Sequence, residues 1–134
     1  MSAWRAYAAV GLGSGLGSGL RYQLGAWLEA PGLPWATLTV NLVGSGLIAL
    51  FAAYAAGRTH GRVARWQPFL VAGFCGGFTT FSLFGLETLA MLSQGHSMTA
   101  LGYVALSLAA WLGAAWAGHL IGRRLSRSSC RQPR

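Results

Sequence analysis

Apolar residues run through the chain in four long blocks, at about 6–27, 35–57, 67–92 and 98–122, parted by short polar joints. About 20 helical residues cross the roughly 30 Å of hydrocarbon in a bilayer, and every block is long enough. The joints read as turns. "LEAPGLP" carries Pro31, Gly32 and Pro34, "RTHGRVARW" is polar and basic, and "SQGHS" is a tight connection. The pattern predicts one all-α integral membrane domain over 1–134, with four transmembrane helices and a basic, frayed tail at 123–134.

Composition agrees with the pattern. Apolar residues are 54% of the 134 and charged residues only 9%, against roughly 25% in a soluble domain. All ten basic residues are arginine, the acids are Glu29 and Glu87, and the formal charge is +8. The arginines lie between and after the apolar blocks, where they flank membrane helices, so nucleic acid is not the expected partner. Nine share the side that holds the N-terminus, the second joint and the tail; Arg21 stands alone near the other end of the first block. The positive-inside rule then places both termini in the cytoplasm. The first residues show no cleavage site before the glycine run, and no removed signal peptide is expected.

The first block is weakly hydrophobic and has its own logic. Gly11, Gly15 and Gly19 lie four apart, as do Gly13 and Gly17, giving small-residue rows on adjoining helix faces. Such rows let helix backbones approach closely in lipid. The partner helix, in the same chain or another, stays open at this level. A nucleotide-binding loop does not fit, because the spacing is wrong and the chain has no lysine.

The third block is interrupted by Gly73, Gly76, Gly77, Thr79 and Thr80. Each glycine costs a helix up to about 1 kcal/mol relative to alanine, and the threonine hydroxyls compete for backbone bonds. The spacing predicts a helix that opens at residues 75–80. Freed carbonyls at the end of a half-helix would form a hard cage for a small cation such as sodium; a glycine-lined helix crossing without an ion fits the same residues. Beyond the opening, Thr80, Phe81, Phe84, Glu87 and Thr88 fall within ~120° of one face at ~100° per residue. Phenylalanine edges carry partial positive charge and can brush an anion; two core rings are the plainer reading. Glu87 is the one acid deep in a span. It can pair with Arg21, be protonated or face an aqueous vestibule, and an intramembrane carboxylate points to function.

Two polar stripes complete the candidate lining: Thr37, Asn41 and Ser45 in the second block, Tyr103 and Ser107 in the fourth. Singly each is interhelical glue. Together they supply neutral donors without a row of acids, a lining suited to an anion. His60, His96 and His119 have no metal-ligand spacing and read as interfacial. Cys75 and Cys130 read as free thiols. The chain has no aspartate, no nucleophile–base set stands out, and catalysis is not expected.

The segments "GSGLRY", "ATLTVNLVGSGLIAL" and "GFCGGFTTFSLFGLE" resemble the signatures of the Fluc (CrcB) family of fluoride channels, and the likeness runs over all four blocks. The resemblance implies a dual-topology antiparallel homodimer of four-helix subunits in the cell membrane, the inner one in a Gram-negative cell. It also implies passive, fluoride-selective export that relieves fluoride toxicity, two fluoride paths and a structural sodium ion at the dimer centre. Residue by residue it implies that Phe81 and Phe84 are the pore rings and Asn41 the donor beside them. Tyr103 and Ser107 match the polar track, Glu87 a pathway acid and Arg21 the arginine of the first-span motif. Thr80 belongs to the same path, and Gly76 and Thr79 match the positions whose carbonyls hold sodium. The nine-to-one arginine distribution departs from the weak bias usual in dual-topology proteins. A small proton-coupled multidrug exporter and a non-transporting membrane assembly protein are the rival readings. The exporter normally needs a carboxylate in the first span, where this chain has glycine and serine.

Overall fold

A computed structural model describes residues 3–28, 30–56, 58 and 61–129. Among these residues all regular structure is helical. Helix α1 is Ala3–Trp27 and α2 is Trp35–Ala55. The third pass is assembled from α3 (Gly61–Gln67), a π-helical stretch (Pro68–Cys75), α4 (Gly76–Phe78) and α5 (Phe81–Ser93); α6 is Ser97–Ser129. His60, Glu29 and Cys130 lie outside the described residues.

Three of these passes are long and apolar enough to cross a membrane: Trp35–Ala55, Gly61–Ser93 and Ser97–Arg127. The first predicted span is not among them. Helix α1 is long, at 25 residues, but its middle, "GLGSGLGSG", is mostly glycine and serine. The third pass starts earlier than the hydrophobic pattern indicated, because the polar joint from Gly61 is itself helical.

Local chemistry explains the irregular third pass. Pro68 has no N–H to give the carbonyl four residues back, and the backbone widens to π-helical geometry from that residue to Cys75. The three glycines predicted to open the helix are all helical. The chain leaves helical geometry only at Thr79, with ψ 156°, and Thr80, with φ −149° and ψ 119°. At the far end of α5, Gly95 takes φ 80°. Its N–H bonds the Leu92 carbonyl at 3.1 Å and the His96 N–H bonds the Met91 carbonyl at 2.9 Å, the paired closure that a left-handed residue allows.

Glycines set the packing. A methyl group on Gly13 or Gly17 would collide with the backbone of Phe69, Phe74 and Phe78, and one on Gly77 would collide with Ser14. The Gly13/Gly17 row of α1 therefore seats on the third pass of the same chain. Around Gly11, Gly15 and Gly19 nothing lies within 4 Å. Helices α2 and α6 meet through Gly46, Gly118 and Gly122, where a methyl at Gly118 would fall on the Gly46 carbonyl.

Helix α6 continues through the first residues of the predicted tail, as far as Ser129, and Arg58 packs against its end. Its guanidinium donates to the Tyr54 carbonyl, to Ser126 Oγ at 2.8 Å and to the Ser126 carbonyl at 3.4 Å. It also sits 4.3 Å over the Tyr54 ring. One side chain thus ties the end of α2 to the last turns of α6.

Candidate ion pathway

The two extended residues would leave unpaired amides inside an apolar protein, and such groups are rarely tolerated. Asn41 of α2 meets the demand. Its Oδ1 accepts from the Thr80 N–H at 2.7 Å and its Nδ2 donates to the Thr80 carbonyl at 2.8 Å. The amide therefore stands in for a peptide neighbour, and the side chain is buried. Thr79 closes α4, its N–H and Oγ1 both donating to the Cys75 carbonyl at 3.0 Å. Thr80 opens α5, its Oγ1 accepting from the Leu83 N–H at 3.3 Å, an N-cap of ordinary kind.

Farther along α5, Glu87 joins three helices. Its Oε1 accepts from Thr37 Oγ1 of α2 at 2.6 Å, and its Oε2 accepts from the Tyr103 hydroxyl of α6 at 2.8 Å. Arg21, one of the candidate partners, is not paired with it. Both residues line one cleft of about 620 Å³, with Thr37, Tyr22 and Leu83, yet no ion pair joins them among the described residues, and Arg21 Nε is buried without a hydrogen-bond partner. Two short neutral hydroxyls already occupy both carboxylate oxygens. They need less desolvation than a guanidinium would.

The aromatic residues divide. Phe84 is 6% exposed, with its ring 5.3 Å from Tyr103 and 4.9 Å from Trp111 in edge geometry. Phe81 lies 5.4 Å from Phe84 but is 73% exposed. The helical arithmetic that put both rings on one face holds for their contact and fails for their surroundings. Tyr103 and Ser107 are fully buried, and Ser107 Oγ has no hydrogen-bond partner. Asn41 and Thr80 are thus joined to each other, and Glu87, Tyr103 and Phe84 form a second set. Phe81 sits at its outer edge, and Ser107 stands one turn beyond Tyr103 on α6.

Gly76 is exposed and Thr79 half-buried. A methyl on Gly76 would meet only the Val71 carbonyl, at 3.9 Å, so its backbone lies open on the surface. Among the described residues no group of three His, Cys, Asp or Glu could hold a metal.

Three participants escaped the sequence reading. Thr37 was visible as a stripe member but not as the donor to Glu87. Trp111 continues the Tyr103–Ser107 spacing by four, packs on Phe84 and donates from Nε1 to the Leu38 carbonyl at 3.1 Å. Ser18 donates to the Gly77 carbonyl at 3.3 Å, fastening α1 beside the extended pair.

The fold and this lining define a multi-pass helical membrane protein whose mostly apolar interior holds a few buried hydroxyls and one amide. The chain belongs to the CrcB-like family: the family model described as "CrcB-like protein, Camphor Resistance (CrcB)" matches residues 8–119. It is similar to proteins named "Fluoride-specific ion channel FluC 1" from Rhodopseudomonas palustris, at 44% identity over 90% of this chain and 89% of the relative, and from Bradyrhizobium diazoefficiens, at 42% over 92% and 91%. A "Fluoride-specific ion channel FluC" from Paramagnetospirillum magneticum is 43% identical over 90% of this chain and 98% of its own length.

Proposed function

We propose that this protein is a fluoride-selective channel that lets fluoride leave the cell passively. One observation carries the chemistry: Ser107 Oγ is wholly buried and unpartnered, one turn from a tyrosine–glutamate–threonine chain of hydrogen bonds. A buried hydroxyl without a partner needs an explanation such as a guest ion, and a donor in an apolar wall serves an anion. The names of the relatives, at more than 40% identity over most of both chains, supply fluoride as the guest.

Fluoride is small and strongly hydrated, so a path must replace its water with close donors. Ser107 Oγ–H is uncommitted. Asn41 Nδ2 has one hydrogen on the Thr80 carbonyl and a second to offer. The Phe84 edge borders the same region, and Phe81 extends it outward. Several weak sites in series permit exit as well as entry. Glu87, with both oxygens occupied by hydroxyl donors, orders Thr37 and Tyr103; Arg21 in the shared cleft attracts anions toward that end.

The working unit in this reading is a four-span subunit in an antiparallel homodimer. Helix α1 is the fourth span. Its exposed Trp4 and Trp27 lie about 34 Å apart at 1.5 Å per residue, at the two levels where tryptophan favours a bilayer. The open Gly11/Gly15/Gly19 row, the exposed Phe81 ring and the open Gly76 backbone are surfaces that a second copy would cover. Carbonyls of Gly76 and Thr79 from both copies would hold the sodium ion, which ties the halves together electrostatically. The arginine distribution by itself favours one orientation, and dual insertion comes from the family likeness.

Efflux from liposomes containing the purified protein tests the function. Fluoride should leave far faster than chloride, and Phe81→Ile should slow it. Equal rates for both halides reject the proposal, and proton movement driven by drugs and dependent on Glu87 favours the exporter instead.

A further inference from the structure

A second cleft, remote from the polar interior, lies between the start of α1 and the start of the third pass. It has a volume of about 1100 Å³ and is lined by Arg5, Ala9 and Leu12 of α1 and by Arg65, Trp66 and Phe69 of the third pass. The helices run in parallel here, because Val10 and Gly13 meet Gly73, and Gly17 meets Phe74 and Phe78. Arg5 and Arg65 therefore stand at one level. Leu12 lies about 10 Å deeper along α1 and Phe69 about 6 Å deeper along its own helix. The cleft is basic at the rim and apolar at the floor.

We propose that this cleft binds one anionic phospholipid, with its phosphate between Arg5 and Arg65 and its upper acyl chain along Ala9, Leu12 and Phe69. Three observations favour an amphiphilic anion. Among the described residues neither guanidinium has a hydrogen-bond or ion-pair partner, and neither helix has an acid in its first turn. Arg5 lies in the first turn of α1, where the backbone dipole adds to its charge and does not offset it. Trp66, 55% exposed and edge-on to Phe69 at 5.7 Å, forms a wall at the depth where indoles border headgroups. A free phosphate would satisfy the rim but leave the apolar floor empty, whereas a lipid matches both. Basic pockets between membrane helices are suited to such headgroups.

Native mass spectrometry of the full-length protein, purified in detergent with phosphatidylglycerol and phosphatidylcholine in equal amounts, tests this. Phosphatidylglycerol should be retained preferentially. Arg5→Gln and Arg65→Gln should each lower its retention about fivefold, from about one headgroup contact apiece, and Arg123→Gln, outside the cleft, should not. Ala9→Trp, which fills the floor without altering charge, should also displace the lipid. No preference for phosphatidylglycerol, equal loss in Arg123→Gln, or full retention in Ala9→Trp overturns the proposal. Displacement of the lipid by millimolar inorganic phosphate would reassign the site to free anions and likewise overturn it.

Discussion

Replacing Asn41 with leucine removes the amide and keeps the branched side-chain skeleton with added bulk, so the change acts through two hydrogen bonds and some overpacking. The Thr80 N–H loses its partner, Asn41 Oδ1, and an orphaned buried donor costs about 1–3 kcal/mol. The Thr80 carbonyl loses one donor, worth about 0.5–1.5 kcal/mol. The sum is about 1.5–4.5 kcal/mol, which chemical unfolding of the purified protein in micelles resolves easily. Fluoride efflux should fall with it, because the extended pair positions Phe81 and Phe84. Asn41→Asp separates geometry from bulk. A protonated carboxyl donates and accepts as the amide does, so that variant should recover stability, relative to wild type, as pH falls, and Asn41→Leu should not. Leucine at this position with stability within about 0.5 kcal/mol of wild type and undiminished efflux would show that the amide does not support the extended segment.

Two other substitutions probe different links. Ser107→Ala removes a buried hydroxyl that has no partner at hydrogen-bond geometry, so thermal stability should stay near wild type while fluoride efflux drops; unchanged efflux would remove Ser107 from the path. Gly17→Ala should abolish the folded state because its methyl meets the Phe74 carbonyl, whereas Gly15→Ala has space within a single chain. Size-exclusion chromatography of both reads the result, and a Gly15→Ala protein that folds but no longer dimerises identifies the open row as the subunit contact.

Much of the fold was legible because each apolar block folds as a helix or a run of helices, and because tight joints such as the one at Gly95 leave little freedom. The polar stripes were legible for the same reason: spacing by four puts Thr37 with Asn41, and Tyr103 with Ser107, on single faces. What spacing cannot show is which face meets which neighbour. Glu87 had a visible cation in Arg21, and charge alone pairs them; the actual donors are hydroxyls on two other helices, 50 residues away at Thr37 and 16 at Tyr103. The opening falls at Thr79 and Thr80, inside the expected 75–80, but not on the glycines. Gly73 and Gly77 serve close contact with α1, and the threonine side chains and Asn41 replace the lost backbone partners. The π-helical stretch had one clue, Pro68, whose consequence depends on the surrounding packing.

The fit of Gly13 to Gly73 spans 60 positions of chain, 73 less 13. During synthesis at about 5–20 residues per second, the complement to α1 emerges roughly 3–12 s after α1 itself. A segment this poor in large aliphatic side chains has little to hold it in lipid during that interval. In the proposed four-span subunit its residence there is secured late, when the third pass arrives, so a ribosomal pause or a premature stop before residue 73 leaves the N-terminal segment without the surface it was shaped to meet.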